Sequence, residues 1–250
     1  MISKSRNTLC IIPARGGSKG LKKKNLQLLG GKPLVYWPIK AVLEAKKRLP
    51  NQEIKIIVST DDKDIAKVAL DAGADVPFLR PESEAEDFTT TEQTLKYSLE
   101  QAEKYYQVSF DLGLFLTPTD VFRKWQWIKT SIDKMLADPN LESCFVVSPT
   151  TKNFWKNEEN MKSRLLLSME TYSSRQIKEP IFREDTGLTC VSKASLWRER
   201  LRIGNNVEFI ENDLEEIYCD VHSQFDLHIA NKTLEFCKKF KPDMIELFND

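Results

Sequence analysis

Arg15, Ser18, Lys19 and three glycines, Gly16, Gly17 and Gly20, crowd into one short stretch, PARGGSKG, with Lys22, Lys23, Lys24 and Asn25 directly after it. Successive backbone N–H groups in such a loop converge on an anion, and glycine allows the close approach that a phosphate needs. Arg grips phosphate oxygens as a planar fork and Lys acts as a point charge, so Arg15 and Lys19 are the candidate catalytic cations. Ala14, Gly16, Gly17, Ser18 and Gly20 are then the candidate cradle. If the ligand is a nucleoside triphosphate, one chemistry open to these residues is transfer of its nucleotidyl group. It needs an acceptor oxygen in line with the α-phosphorus, cations against the charge of leaving pyrophosphate, and a divalent metal with oxygen ligands. Two commoner glycine motifs are excluded: Ser18 and Lys19 precede Gly20 instead of following it, and no GxGxxG is present. A glycine turn with solvated lysines is the plain alternative for the same residues.

The elements that must hold this loop alternate in type. Leu9–Ile12 is an apolar run of strand length that breaks at Pro13. A helix is expected from Pro33 to about Lys47, with Pro38 implying a kink or a later start. Ile54–Ser59 reads as a buried strand leading into Asp61 and Asp62, where an aspartate is commonly a helix cap, and a helix follows over Asp64–Ala72, ended by Gly73. Val76–Leu79 reads as a short strand, Glu92–Tyr106 as a helix, Leu112–Leu116 as a core strand, Trp125–Leu136 as a helix and Cys144–Ser148 as a strand. From about Thr150 to Thr186 the alternation gives way to short mixed segments, read as an inserted arm or lid. Leu188–Val191, a short helix capped by Ser192, then Val207–Ile210 and Ile217–Val221 follow. Ser223–Phe240 closes the chain as an amphipathic helix with Phe225, Ile229, Phe236 and Phe240 as its expected buried side. Strand and helix in alternation imply an α/β fold with a mostly parallel sheet covered on both faces.

The chain has 250 residues, 41% hydrophobic and 30% charged, enough for one large domain with an insertion. Basic and acidic residues balance at 37 each, so no global field draws it to nucleic acid or an anionic membrane, and anion binding must be local. Five scattered cysteines without a CxxC pair read as buried thiols of a cytoplasmic protein. No signal segment is expected, and no apolar run approaches the roughly 18 residues of a membrane span.

Arg15, Ser18, Lys19, Gly20, Lys24 and Asn25 match, in order and spacing, the signature RxxSKGxxxKN. The chain thereby resembles the CMP-N-acylneuraminate synthetases, cytidylyltransferases that activate sialic acids and related 3-deoxy-2-ulosonic acids. The resemblance runs through IVSTD at Ile57–Asp61, Arg80–Pro81, LTPTDVFR at Leu116–Arg123, Arg175–Gln176, Phe182–Arg183 with Gly187, and CDVHSQFD at Cys219–Asp226. It implies a three-layer α/β/α, Rossmann-like nucleotidyltransferase fold of the glycosyltransferase-A type, and a single domain whose arm at about 150–186 dimerises with a second copy. It also implies Arg80 near the cytidine and Asn25 in the nucleotide site. Arg175, Gln176 and Arg183 would face the sugar acid's carboxylate, Thr117 and Lys156 would lie on the sugar side, and Asp220 would carry catalytic Mg²⁺.

The chain departs from the family at the sugar and metal motifs. Thr117 replaces a substrate-contacting glutamine, and Asp120-Val121 replaces Ser-Pro. One extra residue between Phe182 and Gly187 leaves the family's asparagine without a single counterpart among Glu184, Asp185 and Thr186. His222 replaces the second metal aspartate. Mg²⁺ prefers oxygen, so three arrangements fit: Asp220 holds Mg²⁺ with His222 behind it, His222 ligates a softer metal such as Mn²⁺, or metal binding is weakened. The expected reaction is CTP plus sugar acid to CMP-sugar and pyrophosphate. The alternatives are another acceptor, such as an eight-carbon ulosonic acid, or a nucleotide-binding paralogue with little turnover. Exposed lysines such as Lys152 and Lys156 are commonly just solvated, and Trp125 and Trp127 read as core.

Overall fold

In the computed structural model, which describes residues 6–17, 20–81, 84, 88–157, 163–165 and 179–249, the chain is built around a seven-stranded mixed sheet. In order come β1 (Asn7–Pro13), a hairpin of β2 (Leu28–Leu29) and β3 (Lys32–Pro33), α1 (Tyr36–Lys47), β4 (Glu53–Ser59), α2 (Lys63–Asp71) and α3 (Thr91–Tyr106). Then follow β5 (Leu112–Phe115), α4 (Trp125–Ala137), β6 (Ser143–Thr150), β7 (Trp155–Asn157), β8 (Ser163–Leu165) and β9 (Ile181–Glu184). β10 (Cys190–Lys193), α5 (Ala194–Arg198), β11 (Val207–Glu211) and α6 (Gln224–Phe240) complete the set. The sheet order is β11-β6-β10-β5-β1-β4, with β9 also on β6. β4, β1 and β5 pair in parallel, as do β6 and β11, while β10 runs antiparallel to both neighbours.

β1 is buried on both faces, which explains its continuous apolar run. Leu9 and Ile11 point into one core with Leu95, Leu99 and Trp197 from α3 and α5. Cys10 and Ile12 point into the other with α1, α4 and α6. These two cores make the layers of an α/β/α sandwich. α3 begins at a capping box in which Thr90 accepts from the Gln93 N–H and Gln93 Oε1 accepts from the Thr90 N–H. All five cysteines are free thiols. No described helix is long and apolar enough to cross a membrane.

Several local expectations are corrected. The helix expected from Pro33 starts at Tyr36, because Gly30 and Gly31, at φ +58° and +83°, turn a hairpin that takes Pro33 into β3. Val76–Leu79 is not a strand. Asp75 exchanges bonds with Ile56 and Val58, but Pro77 lacks the N–H to extend a ladder. Ile217–Val221 is not a strand either. Glu215–Ile217 is a 3₁₀ turn, after which only an isolated antiparallel bridge joins Asp220 to Asp120. Ser192 lies in β10 and donates to Arg202 O at 2.8 Å, so it does not cap α5. Of the segment read as an arm, β7 and β8 form a separate hairpin, and β9 belongs to the main sheet.

The largest correction concerns α6. Phe225, Ile229, Phe236 and Phe240 are exposed, and the helix packs through Leu227, Ala230, Leu234 and Cys237. Both sets recur at helical spacing, so periodicity alone does not choose between them. The smaller set fits closely against the hairpin turn, where Leu234 fills the space that a side chain on Gly30 would need. Leu234→Ala should therefore cost about 2–5 kcal/mol, whereas Phe236→Ala should stay within about 0.5 kcal/mol of the parent, as read by urea unfolding.

Candidate active site

The loop after β1 is clipped in place at three points. The Ala14 N–H donates to Ser59 O at 2.9 Å, the Gly16 N–H donates to Asp61 Oδ1 at 2.8 Å, and buried Asn25 donates from Nδ2 to Arg15 O at 2.9 Å. Asp62 caps α2 by accepting from the Asp64 and Ile65 N–H groups, which leaves Asp61 as the loop anchor. Gly16 packs against the Asp62 side chain. At Gly20 a Cβ would stand 2.6 Å from His222 O. The loop thus runs directly beside the segment carrying Asp220 and His222. Gly17 faces open space, and Ser18 and Lys19 lie outside the described residues.

Lys24 follows on a 3₁₀ turn, half-buried, where the charges of Asp220, Asp120 and Asp226 and that of Arg15 all act on it. Burial pushes its ammonium down, and the three carboxylates oppose that. Arg80 is buried. Its Nη1 reaches Glu84 O and Thr94 Oγ1, both at 3.4 Å, and its Nε has no partner. Its main-chain N–H donates to Thr60 O at 2.8 Å, beside the loop anchor Asp61, and the charges of Asp61 and Arg15 both act on it.

The turn after β5 faces the loop from the other side. Thr117 donates its hydroxyl to Asp120 Oδ2 at 2.6 Å, and Tyr218 donates to Asp120 Oδ1 at 3.2 Å. Arg123 is fully buried and holds this turn. Nη2 donates to Thr117 O and Asp120 O, and Nη1 donates to Gly187 O and Leu188 O at 3.2 and 3.0 Å. Burial brings its guanidinium down to about 10, so it stays protonated at neutral pH. Gly187 has no room for a Cβ against the Asp120 carboxylate and Thr117 hydroxyl, which accounts for glycine there.

Across the bridge, Asp220 Oδ2 meets His222 Nε2 at 2.7 Å, and Asp220 Oδ1 is buried without a partner. Asp226 does not reach the site. It caps α6, accepting from the N–H groups of His222 and Ser223 and from the Ser223 hydroxyl, which hold its carboxyl below the usual range. Among the described residues no group of three His, Cys, Asp or Glu is placed to hold a metal ion.

Arg183 is half-exposed at the end of β9 and tied to Asp185, with its guanidinium over the Tyr218 ring. Lys156 is exposed on β7, in the separate hairpin. Arg175 and Gln176 lie outside the described residues. The structure therefore brings together Ala14, Arg15, Gly16, Gly20, Asn25, Arg80, Thr117, Asp220, His222 and, through Tyr218, Arg183.

A family model described as cytidylyltransferase matches residues 9–189, which takes in the loop, the Thr117 turn and Arg183. The chain belongs to the cytidylyltransferase family. It is 42% identical over 127 residues to the CMP-N,N'-diacetyllegionaminic acid synthase of Legionella pneumophila, a stretch covering 50% of this chain and 51% of that protein, so the match spans about half of each. It is 27% identical over 230 residues to a pseudaminic acid cytidylyltransferase of Campylobacter jejuni, covering 89% and 94% of the two chains. Among solved structures, a CMP:2-keto-3-deoxy-manno-octonic acid synthetase complexed with CTP superposes with a TM-score of 0.63 at 15% identity, over 94% of this chain and all of the other, a likeness of fold.

Asp220 and His222 lie beyond the stretch that the cytidylyltransferase model matches. Lys24, Asp120, Arg123, Tyr218 and Asp185 also converge on the site without having been singled out as site residues. Lys24 and Arg123 carried a signal, as members of the matched segments RxxSKGxxxKN and LTPTDVFR. Tyr218 carried none, because it reaches Asp120 across 98 positions of sequence. Arg123→Ala should destabilise the protein by about 3–5 kcal/mol in urea unfolding, since it strips buried carbonyls of their donor. Arg123→Lys should recover less than half of that, because one ammonium cannot span both turns.

Proposed function

We propose that this cytidylyltransferase joins CTP to a nine-carbon 3-deoxy-2-ulosonic acid of the sialic, legionaminic or pseudaminic type. The acceptor's C2 hydroxyl attacks the α-phosphorus and gives up its proton to solvent, a C2–O–P bond forms, the bond from the α-phosphorus to the β-phosphate oxygen breaks, and pyrophosphate leaves. The observation that carries this reading is the contact of Gly20 with the His222 carbonyl, which sets a phosphate-type loop beside a carboxylate whose buried Oδ1 lacks a partner. The loop amides other than those of Ala14 and Gly16, which Ser59 and Asp61 already engage, would take the triphosphate with Arg15, and Lys19 would be its second cation. Lys24 would offset charge near the leaving group, and Arg80 would support the loop floor below the base. Thr117, Lys156, Arg175, Gln176 and Arg183 are the proposed acceptor residues.

The residues present fit Mg²⁺, which binds through one or two carboxylates and substrate phosphates. Asp220 Oδ1 is the free oxygen, with Asp120 across the bridge. When bound, the ion would supply charge neutralisation between phosphate oxygens. His222 engages the other oxygen of Asp220, so it orients that carboxylate from behind. Mn²⁺ would be a substitute only. The unpaired thiols suit a reducing compartment, which supports a cytoplasmic enzyme. We take the chain as one domain whose arm, at about 150–186, pairs two copies, and exposed Phe154, Trp155 and Phe182 supply apolar surface for that contact.

The test is pyrophosphate release from CTP with a panel of sialic, legionaminic, pseudaminic and eight-carbon ulosonic acids, each with Mg²⁺ and Mn²⁺. Release with a nine-carbon acid and Mg²⁺ is expected, and Asp220→Asn should lower turnover by about 10²–10³ while the protein stays folded. Activity only with Mn²⁺ would put the His222 nitrogen on the metal. CTP binding by calorimetry with no release from any acid would leave a nucleotide-binding protein instead.

A further inference from the structure

Arg183 is restrained on two sides. Its Nε and Nη2 donate to Asp185 Oδ1 and Oδ2 at 2.8 and 3.1 Å, and its guanidinium carbon lies 4.3 Å from the centroid of the Tyr218 ring. Both restraints are themselves anchored. Asp185 is 5% exposed, donates its N–H to Val146 O at 3.0 Å and accepts from the Ser148 hydroxyl, whose oxygen accepts from Asn212 Nδ2 at 3.0 Å. Tyr218 donates to Asp120, which Thr117 holds in turn and which bridges to Asp220. A continuous chain of contacts therefore runs from Asn212, just after β11, to the carboxylate beside the loop. Even so, 47% of the Arg183 side chain remains exposed.

A guanidinium has a rigid fork of donors. With its Nε–Nη2 edge on a buried carboxylate and one face on a ring, the Nη1 side is what it can offer to a ligand. The ion pair is also close to neutral as a whole. An anion meeting it is selected by hydrogen-bond geometry and hardly at all by net charge. We propose that Asp185 and Tyr218 are positioning residues that hold Arg183 as an oriented, one-edged receptor for the acceptor's carboxylate. They thereby set the affinity for the sugar acid and leave that for CTP untouched. This rests on the cytidylyl-transfer reading above.

The experiment measures KM for the acid and for CTP separately in the full chain, at low and high salt. Asp185→Asn should raise the acid KM roughly tenfold, leave the CTP KM within about twofold and make acid binding more salt-sensitive, because an unpaired but unoriented Arg183 attracts without docking. Tyr218→Leu should act in the same direction, and Tyr218→Phe, which keeps the ring, should act less. In an Arg183→Ala background Asp185→Asn should add nothing further. If Asp185→Asn does not fold, Arg183→Lys carries the test, since an ammonium cannot take both restraints and should be nearly as poor as alanine. Equal rises in both KM values, or full additivity with Arg183→Ala, would overturn the proposal while turnover by the parent protein stands. A parent protein that releases no pyrophosphate with any acid removes the reaction and this proposal together.

Discussion

A single buried guanidinium organises the catalytic edge. Arg123 is almost wholly buried, and burying a charge is expensive unless it is hydrogen-bonded. Its two Nη groups donate to main-chain oxygens of two turns far apart in sequence, at Thr117 and Asp120 on one side and Gly187 and Leu188 on the other, and its Nε alone is left without a partner. Because one turn leaves β5 and the other leads into its antiparallel neighbour β10, one side chain sets where Thr117, Asp120 and the β9–β10 connection stand. The bridge of Asp120 to Asp220 then carries that placement to the loop after β1.

The loop is positioned from the other direction by the same kind of economy. Asp61 and Asn25 bind its backbone, and glycine at positions 16 and 20 lets it pass between Asp62 and the His222 carbonyl. The result is a strip of mixed charge, in which Lys24 feels Asp120 and Asp220 as well as Arg15. A chain with no net charge can bind a highly charged anion in this way, because the attraction that matters acts over a few ångströms.

How far the sequence could be read depended on the range of the interactions involved. The Leu9–Ile12 strand, the glycine loop and the strand–helix alternation were legible because burial and turn chemistry are local. The family resemblance added Arg80, Arg183 and Asp220, which composition alone would have passed over. It stopped short at α6, where two apolar stripes compete, and at Pro77, where one missing N–H decides between a bridge and a strand. It stopped also at Asp185, whose role depends on meeting Arg183, Ser148 and a strand partner together.

By itself, then, the sequence determined the α/β class and the phosphate-type loop, since these follow from residue types at short spacing, and the kind of chemistry through the family resemblance that its motifs carry. Only the tertiary structure decided which carboxylate anchors the loop and which caps a helix, at Asp61 and Asp62. It likewise decided that His222 bonds to Asp220 and that Arg183 is already half engaged. The physical reason is that a hydrogen bond or a buried charge is specified by the partner that arrives from elsewhere in the chain, and one dimension of sequence does not state which groups will meet.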